Sequence, residues 1–162
     1  MLLTVLTTIA QKTDTIHTYP DSIVYSYSDP RPQESHHRMS WPRHFSLHLP
    51  TQPKSRFHFG KDSFGFICDK DQILYIYIDY LAPNLPNSTR RITDRTDIEE
   101  LLLDKLNMIN NPEKIDIDNH PFDTQRETWI LQQGSATILL YNILPANRTT
   151  FLDAAQTFTF TP

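Results

Sequence analysis

The sequence predicts an α+β fold, in which an antiparallel β-sheet is packed by one main helix and by a short carboxyl-terminal helix. Three observations support this class. Runs of β-prone residues are separated by short polar connections, one helical apolar pattern follows a clear amino-terminal cap, and the chain has 162 residues, 38% of them hydrophobic and 21% charged. That length and composition are typical of a single globular domain. We therefore predict one domain over residues 11–162, preceded by a separate segment at 1–10.

Residues 2–10 form an apolar run, Leu-Leu-Thr-Val-Leu-Thr-Thr-Ile-Ala, that is followed by polar residues from Gln11 onward. The run is too short to cross a bilayer, which takes about 20 residues. It resembles the second half of a secretory signal, with Thr8 and Ala10 at the small-residue positions before cleavage, although no Lys or Arg precedes Lys12. A buried first strand is the alternative, because Thr, Val and Ile favour strands. The signal interpretation predicts a bacterial protein that is secreted or periplasmic.

The first half of the domain is predicted to consist of strands joined by turns and by one long loop. Five strands are predicted, with a proline-containing loop over 29–44 after the first: Ser22–Ser28, Phe45–Leu49, Arg56–Phe59, Phe64–Cys68 and Ile73–Tyr80. Short polar connections join the last three, which favours antiparallel hairpins because parallel neighbours need a long crossover. In the last strand we expect the aliphatic residues to face the core, and Tyr75 and Tyr77 to face outward.

Residues 81–95 are predicted to be a polar connector, after which the main helix begins. Thr96 and Glu99 fit a capping box, in which each side chain satisfies a free backbone N–H group of the other residue. Apolar residues then recur at helical spacing, at Ile98, Leu101, Leu102, Leu106 and Ile109. We expect this helix, at about 97–110, to pack on a sheet face that includes Ile76, Ile78, Ile138 and Leu140.

The rest of the chain predicts a short helix at about 148–156 and four strands, Lys114–Asn119, Thr128–Gln132, Ala136–Ile143 and Thr157–Thr161. In Ala136–Phe160 a strand ending Leu-Leu-Tyr-Asn-Ile precedes the short helix and a terminal Thr-Phe-Thr-Phe. This stretch is similar to the carboxyl end of small exported bacterial proteins of unassigned activity, and it loosely resembles the PsbP/Mog1-like α/β sandwich. The resemblance implies a binding or accessory role and carries over no catalytic residue, because fold analogy alone does not license a function.

Composition excludes several classes of function. Fifteen Lys and Arg against nineteen Asp and Glu give a net charge of −4, whereas a surface that binds nucleic acid needs dense positive charge. The three glycines form no cluster, which excludes a phosphate-cradling loop. The single cysteine, Cys68, excludes an internal disulfide and a four-cysteine zinc site. Its strongly apolar strand favours burial over use as a nucleophile. No cofactor is predicted.

The clearest metal-ligand pattern is Asp116, Asp118 and His120. In a strand these three side chains would point the same way, about 6.5–7 Å apart at each step. Carboxylates and an imidazole are suitable ligands for a hard or borderline divalent cation. The alternative is an edge strand whose isoleucines face the core while the Asp residues face water.

Five of the seven histidines lie close together in the sequence, at His36, His37, His44, His48 and His58. Residues 31–58 also carry five Lys and Arg against one Glu, so this segment is basic on an acidic protein. Such a patch can dock an acidic partner, more strongly below about pH 6.5, where imidazole gains charge. Transition-metal capture and a solvated loop are the alternatives. The predicted binding residues are Tyr75, Tyr77, His36, His37 and Arg38, joined by Tyr25 and Tyr27 if the two tyrosine-bearing strands pair.

These patterns predict a non-enzymatic exported accessory or binding domain, whose ligand is a protein or a small molecule. Common hydrolase, metalloprotease and redox motifs are absent from the sequence. A metal-dependent enzyme centred on Asp116, Asp118 and His120 is one alternative. An immunity-type protein that binds a toxin through the basic segment is another.

Overall fold

The structure is a computed structural model that describes residues 12–29, 44–59, 62–79, 85–94 and 125–161. Three predicted segments lie outside these residues: the signal at 1–10, the main helix at about 97–110 and the strand Lys114–Asn119.

The described residues form ten strands and one α-helix. The strands are β1 Thr13–Thr18, β2 Ile23–Ser28, β3 His44–Leu49, β4 Ser55–Phe59, β5 Ser63–Ile67, β6 Ile73–Ile78, β7 Leu85–Ile92, β8 Glu127–Gly134, β9 Ala136–Ile143 and β10 Thr159–Phe160. The helix α1 is Arg148–Gln156, which confirms the predicted short carboxyl-terminal helix.

The strands belong to two antiparallel sheets instead of the single sheet that the sequence predicts. The four-stranded sheet has the order β1-β2-β3-β10, and the six-stranded sheet has the order β4-β5-β6-β9-β8-β7. Every pairing is antiparallel, as the short connections predict. The sequence does not reveal the change of sheet, because the connection from β3 to β4 is as short as the turns within each sheet.

The main core lies between the two sheets. Because side chains alternate along a strand, β2 turns Tyr25 and Tyr27 toward the six-stranded sheet, and β3 turns Phe45 the same way. The rings of Tyr25 and Phe66 meet edge-on with their centroids 4.7 Å apart, and those of Phe45 and Phe64 do so at 4.8 Å. Burying each such side chain stabilises the fold by about 1.5–3 kcal/mol. Helix α1 adds Phe151 and Ala155 to this core.

The aliphatic side of β6 and β9 faces this core. Its residues Ile76, Ile78, Ile138 and Leu140 are fully buried in the same cluster as the inward aromatic residues of β2 and β3. The structure therefore covers that face with a second sheet, where the sequence predicted the main helix.

The opposite face of the six-stranded sheet is also buried. It carries a second apolar cluster of Ile73, Tyr75, Ile92, Ile130, Leu139 and Tyr141, against which Phe57 and Tyr77 pack. Tyr75 is 0% exposed, so the predicted outward orientation is wrong for this residue. The alternation along this strand correctly places the tyrosines and the aliphatic residues on opposite faces. It does not distinguish a solvent-exposed face from a second buried face.

Strand β7 is a correction to the predicted polar connector over 81–95. Seven of its eight residues are exposed and only Ile92 is buried, so no alternation of apolar and polar residues marks it as a strand. Its stability comes from its ladder with β8, which is interrupted by a register shift between Leu85 and Ser88. Such a shift is a β-bulge or a similar irregularity, which is common at sheet edges.

Gly65 in β5 leaves room for a neighbouring aromatic ring. It lies directly opposite Phe57 in β4, and a Cβ atom on Gly65 would overlap the Phe57 ring. Glycine inside a strand is ordinarily less stable than alanine by about 0.5–1 kcal/mol. Here the Phe57 ring occupies the space that a side chain at position 65 would need. Glycine should therefore be more stable than alanine at this position.

We expect Gly65→Ala to lower the free energy of unfolding by about 1–3 kcal/mol, the usual cost of overpacking. In a Phe57→Leu background the same substitution should cost markedly less, because the smaller side chain can move aside. Denaturant unfolding of the wild type, both single variants and the double variant measures this coupling. An equal cost in the two backgrounds would show that Phe57 is not the obstacle.

Candidate functional site

The predicted tyrosine surface does not form. Strands β2 and β6 belong to different sheets, so their tyrosines do not line one face. Tyr25 and Tyr27 are both 2% exposed and point into the inter-sheet core. Tyr77 is half-buried beside Tyr75, and burial raises the pKa of Tyr75 to about 12. Large rings on these strands serve packing.

The predicted basic segment is divided between separate parts of the molecule. His36, His37 and Arg38 lie outside the described residues. Lys54 forms an ion pair with Asp69 at 3.2 Å, and Arg56 forms one with Asp14 at 3.0 Å. These carboxylates come from other parts of the chain, so a charge count within 31–58 overstates the local positive charge.

The predicted metal ligands Asp116, Asp118 and His120 also lie outside the described residues. Within the described part of the chain, no group of three His, Cys, Asp or Glu side chains is placed to hold a metal ion. Cys68 is 0% exposed, which confirms its predicted burial, and this burial raises the pKa of its thiol. A buried thiol with a raised pKa is a poor nucleophile.

The outer face of the four-stranded sheet is the most distinctive surface among the described residues. It is the side that points away from the inter-sheet core, and strand register arranges its residues in three rows across the sheet. The rows are Thr13, Ser28 and His44; Thr15, Ser26, Ser46 and Thr159; and His17, Val24 and His48. Nine of these ten residues carry a hydroxyl or an imidazole group, and the tenth is Val24.

The outer face carries imidazoles but no carboxylate at its strand positions. Asp14, the acidic residue of β1, points to the inner side, where it bonds to Arg56. His17 and His48 lie on either side of Val24, two strand spacings or about 10 Å apart. His44 shares a 2.7 Å hydrogen bond with the Ser28 hydroxyl through Nδ1. The described strand positions of this face therefore offer hydrogen-bond donors with no carboxylate among them.

Tyr19 extends this surface at the turn after β1. It is 55% exposed, and its ring lies 6.4 Å from the ring of His17 between centroids. Its backbone N–H donates to the Ser22 carbonyl at 2.7 Å, which holds the turn. Exposed tyrosine is a common anchor in protein interfaces, because its ring is apolar and its hydroxyl is polar.

Sequence reasoning missed His17 and Tyr19. Strand β1 reads Thr-Asp-Thr-Ile-His-Thr, and its single apolar residue gives too weak an alternation to identify a strand. The turn residues Pro20 and Asp21, followed by the β2 run, were the available signal of a hairpin. If that hairpin is paired with β3, His17 falls on the same face as His44, Ser46 and His48.

A second cluster of charged groups lies along the contact between β1 and β4, one strand from each sheet, which we call the seam. The Lys12 Nζ donates to His58 Nδ1 at 2.8 Å, and Arg56 binds Asp14. Burial, followed by the Lys12 ammonium, lowers the pKa of His58, while Asp14, Asp62 and Asp29 act weakly in the opposite direction. Burial and the charge of Asp14 raise the pKa of Tyr25. The cluster joins the two sheets and keeps the His58 imidazole neutral near pH 7.

Comparison of the chain with protein-family models, with curated proteins and with solved structures found no match. Among the described residues, no helix is long and apolar enough to span a membrane.

The lowered pKa of His58 predicts a pH-dependent loss of stability. The unfolded chain takes up a proton near pH 6.5, whereas the folded protein resists it, so stability falls as pH drops through 6.5 and continues to fall to the folded pKa. His58→Gln should therefore lose less stability than the wild type between pH 7.5 and pH 5.5. Denaturant unfolding at the two values measures the difference.

The matched control is His48→Gln, which removes an exposed imidazole and should leave the pH dependence of the wild type largely intact. If His58→Gln kept the full wild-type loss, protonation of His58 would not be coupled to unfolding.

Proposed function

We propose that this chain is a non-enzymatic, exported binding domain whose outer face docks an acidic protein partner. The observation that carries this proposal is the composition of the described strand positions of that face, which carry imidazole and hydroxyl groups and no carboxylate. The rest of the fold supports a scaffold role, because the aromatic side chains of β2 and β6 are used in packing.

The chemistry of the face favours an acidic partner. Hydroxyls and imidazoles both donate hydrogen bonds to carboxylates, and protonated imidazole adds charge to those bonds. The hydroxyls of the outer face lie in the same rows as the three imidazoles, and Tyr19 lies beside His17. A carboxylate-rich surface would therefore meet donors across the whole face.

The paired strands of the sheet suit a binding surface. The inner sides of β2 and β3 are buried in the core, so the backbone that carries their donors loses little conformational entropy when a partner binds. The exposed Tyr19 offers an apolar anchor at one end. A toxin with an acidic surface would be one such partner, which keeps the immunity-type alternative within this proposal.

We expect the protein to bind soluble poly-L-glutamate, and the variant carrying His17→Ala, His44→Ala and His48→Ala to bind it about tenfold or more weakly while it keeps the fold. The variant loses three imidazole donors, and a hydrogen bond to a charged group contributes about 1.5–3 kcal/mol. Isothermal titration at constant pH and ionic strength measures both proteins.

His58→Ala is the matched control, because it removes an imidazole from the seam and leaves the outer face unchanged. It should bind poly-L-glutamate as the wild type does. Equal affinity of the triple variant and the wild type would exclude the outer face as the acidic-partner site.

Export is the second part of the proposal, and residues 2–10 are its support. Strand β1 begins at Thr13. Cleavage before Gln11 would therefore leave every described strand complete.

Expression in a bacterial host should give a periplasmic or secreted protein whose intact mass corresponds to a start at Gln11. An Ala10→Arg variant should be processed poorly, because a large charged side chain does not fit the small-residue position before the cleavage point. A cytoplasmic protein that retains Met1–Ala10 would contradict export.

A further inference from the structure

Two polar contacts join the edge strand β1 to β4 across the seam. The Lys12 ammonium, just before β1, donates to His58 Nδ1 at 2.8 Å, and the Arg56 guanidinium binds the Asp14 carboxylate at 3.0 Å. Asp14 and the half-buried Ile16 alternate with the outer-face residues of β1, so they lie on its inner side. These contacts add to the ladder with β2 in holding β1 on the fold.

The half-buried imidazole of His58 is packed between aromatic rings. It stacks on Phe64 with the ring centroids 4.6 Å apart and the planes 11° from parallel, and the Tyr27 ring meets it edge-on at 5.5 Å. The Lys12 Nζ lies 2.8 and 3.4 Å from the two nitrogens of this imidazole and 5.3 Å from the centroid of the Tyr27 ring, within cation–π range. Turning the imidazole away from Lys12 would therefore break its aromatic packing.

Only a neutral imidazole can accept the hydrogen bond from Lys12. A protonated imidazole carries hydrogen on both ring nitrogens, so it has no acceptor left. Protonation would also bring a second positive charge within hydrogen-bond distance of the ammonium, where like charges repel. Protonation of His58 and its contact with Lys12 therefore exclude each other.

The charged and titratable groups near His58 in the described part of the chain belong to several elements: Lys12, Asp14, Tyr27, Asp29, Arg56 and Asp62. Burial is the largest cause that lowers the pKa of His58, and the Lys12 ammonium is the next. The three carboxylates act in the opposite direction and do not outweigh these two causes. Tyr27 carries no charge near neutral pH, and Arg56 remains a cation. The folded protein therefore resists protonation of His58.

We propose that the contact between Lys12 and His58 is an acid-operated switch. Below the ordinary imidazole range a proton on His58 breaks the contact, and β1 then opens more often from β4 and from its ladder with β2. Above that range the neutral imidazole accepts the Lys12 hydrogen bond again. Because β1 carries Thr13, Thr15 and His17 of the outer face, the switch also controls one edge of that surface. It requires no partner, so its failure would leave the proposed function untouched.

Amide hydrogen exchange of the full-length protein at pH 7.5 and pH 5.5 tests the switch, since it measures how often a segment opens. Protection factors correct for the effect of pH on the intrinsic exchange rate. Opened β1 leaves His58 with its ordinary pKa of about 6.5, whereas the closed form resists the proton, so opening should be up to about tenfold more frequent at pH 5.5. We expect the protection factors over residues 12–18 to fall by about that factor.

The urea dependence of exchange separates local opening from global unfolding. Exchange from β1 should be faster than exchange from the central strand β9 at both pH values, and low concentrations of urea should leave it unchanged. Global unfolding exposes far more surface, so exchange by that route accelerates with urea. Equal rates and equal urea dependence in β1 and β9 would show that β1 opens only with the whole fold, which would overturn the switch.

Three variants assign the pH response. His58→Gln keeps an acceptor for Lys12 but takes up no proton in this range, so its β1 protection should be equal at the two pH values. Lys12→Met removes the ammonium, so the closed form accepts the proton more readily and the fall should be smaller than in the wild type. His48→Gln removes an exposed imidazole of the outer face and is the matched control, which should respond as the wild type does.

The switch would be overturned by unchanged β1 protection between the two pH values in the wild type. A full wild-type response in His58→Gln or in Lys12→Met would also overturn it, because the contact would then not sense the proton. Loss of the response in His48→Gln alone would assign the pH dependence to the outer face instead of the seam.

Discussion

The contact between the two sheets is the interaction on which the rest of the structure depends. Tyr25 and Tyr27 from one sheet meet Phe64 and Phe66 from the other at centroid distances of 4.7–6.4 Å. Alternate side chains on a strand point to opposite sides. Burial of these rings in the core therefore places the side chains next to them in the sequence on the solvent side of the sheet. The hydroxyl and imidazole rows of the outer face are thus a direct result of aromatic packing on the inner face.

The sequence predicts most of the described elements, and it does so where a strand or helix carries its own pattern. Strands β4, β5, β6, β8 and β9 and helix α1 are apolar enough, or regular enough, to be identified locally. Strand β7 is not, because only Ile92 is buried and its stability comes from pairing with β8. The division into two sheets is equally hidden, since it depends on contacts between residues far apart in the chain.

The candidate surfaces were harder to predict than the strands, and for a related reason. Arg56 belongs to a basic stretch of sequence, yet its carboxylate partner Asp14 is 42 residues away. Tyr75 belongs to an alternating strand, yet both sides of its sheet are buried. His17 joins His48 only because β2 lies between their strands. Alternation identifies which residues share a side of a strand, and charge counts identify basic stretches of sequence. Only the contacts of the folded chain determine which side is exposed to solvent.

The pairing of β10 with β3 has a consequence for synthesis of the protein. Thr159 and Phe160 complete the four-stranded sheet beside Ser46 and Phe45, and the ring of Phe158 lies 5.2 Å from that of Phe45. These contacts span more than a hundred residues, and such non-local closure is slow. A nascent chain therefore cannot complete its core until residues 158–160 have left the ribosome. Until then its aromatic strands remain exposed, and such partly folded chains are prone to aggregation and bind chaperones.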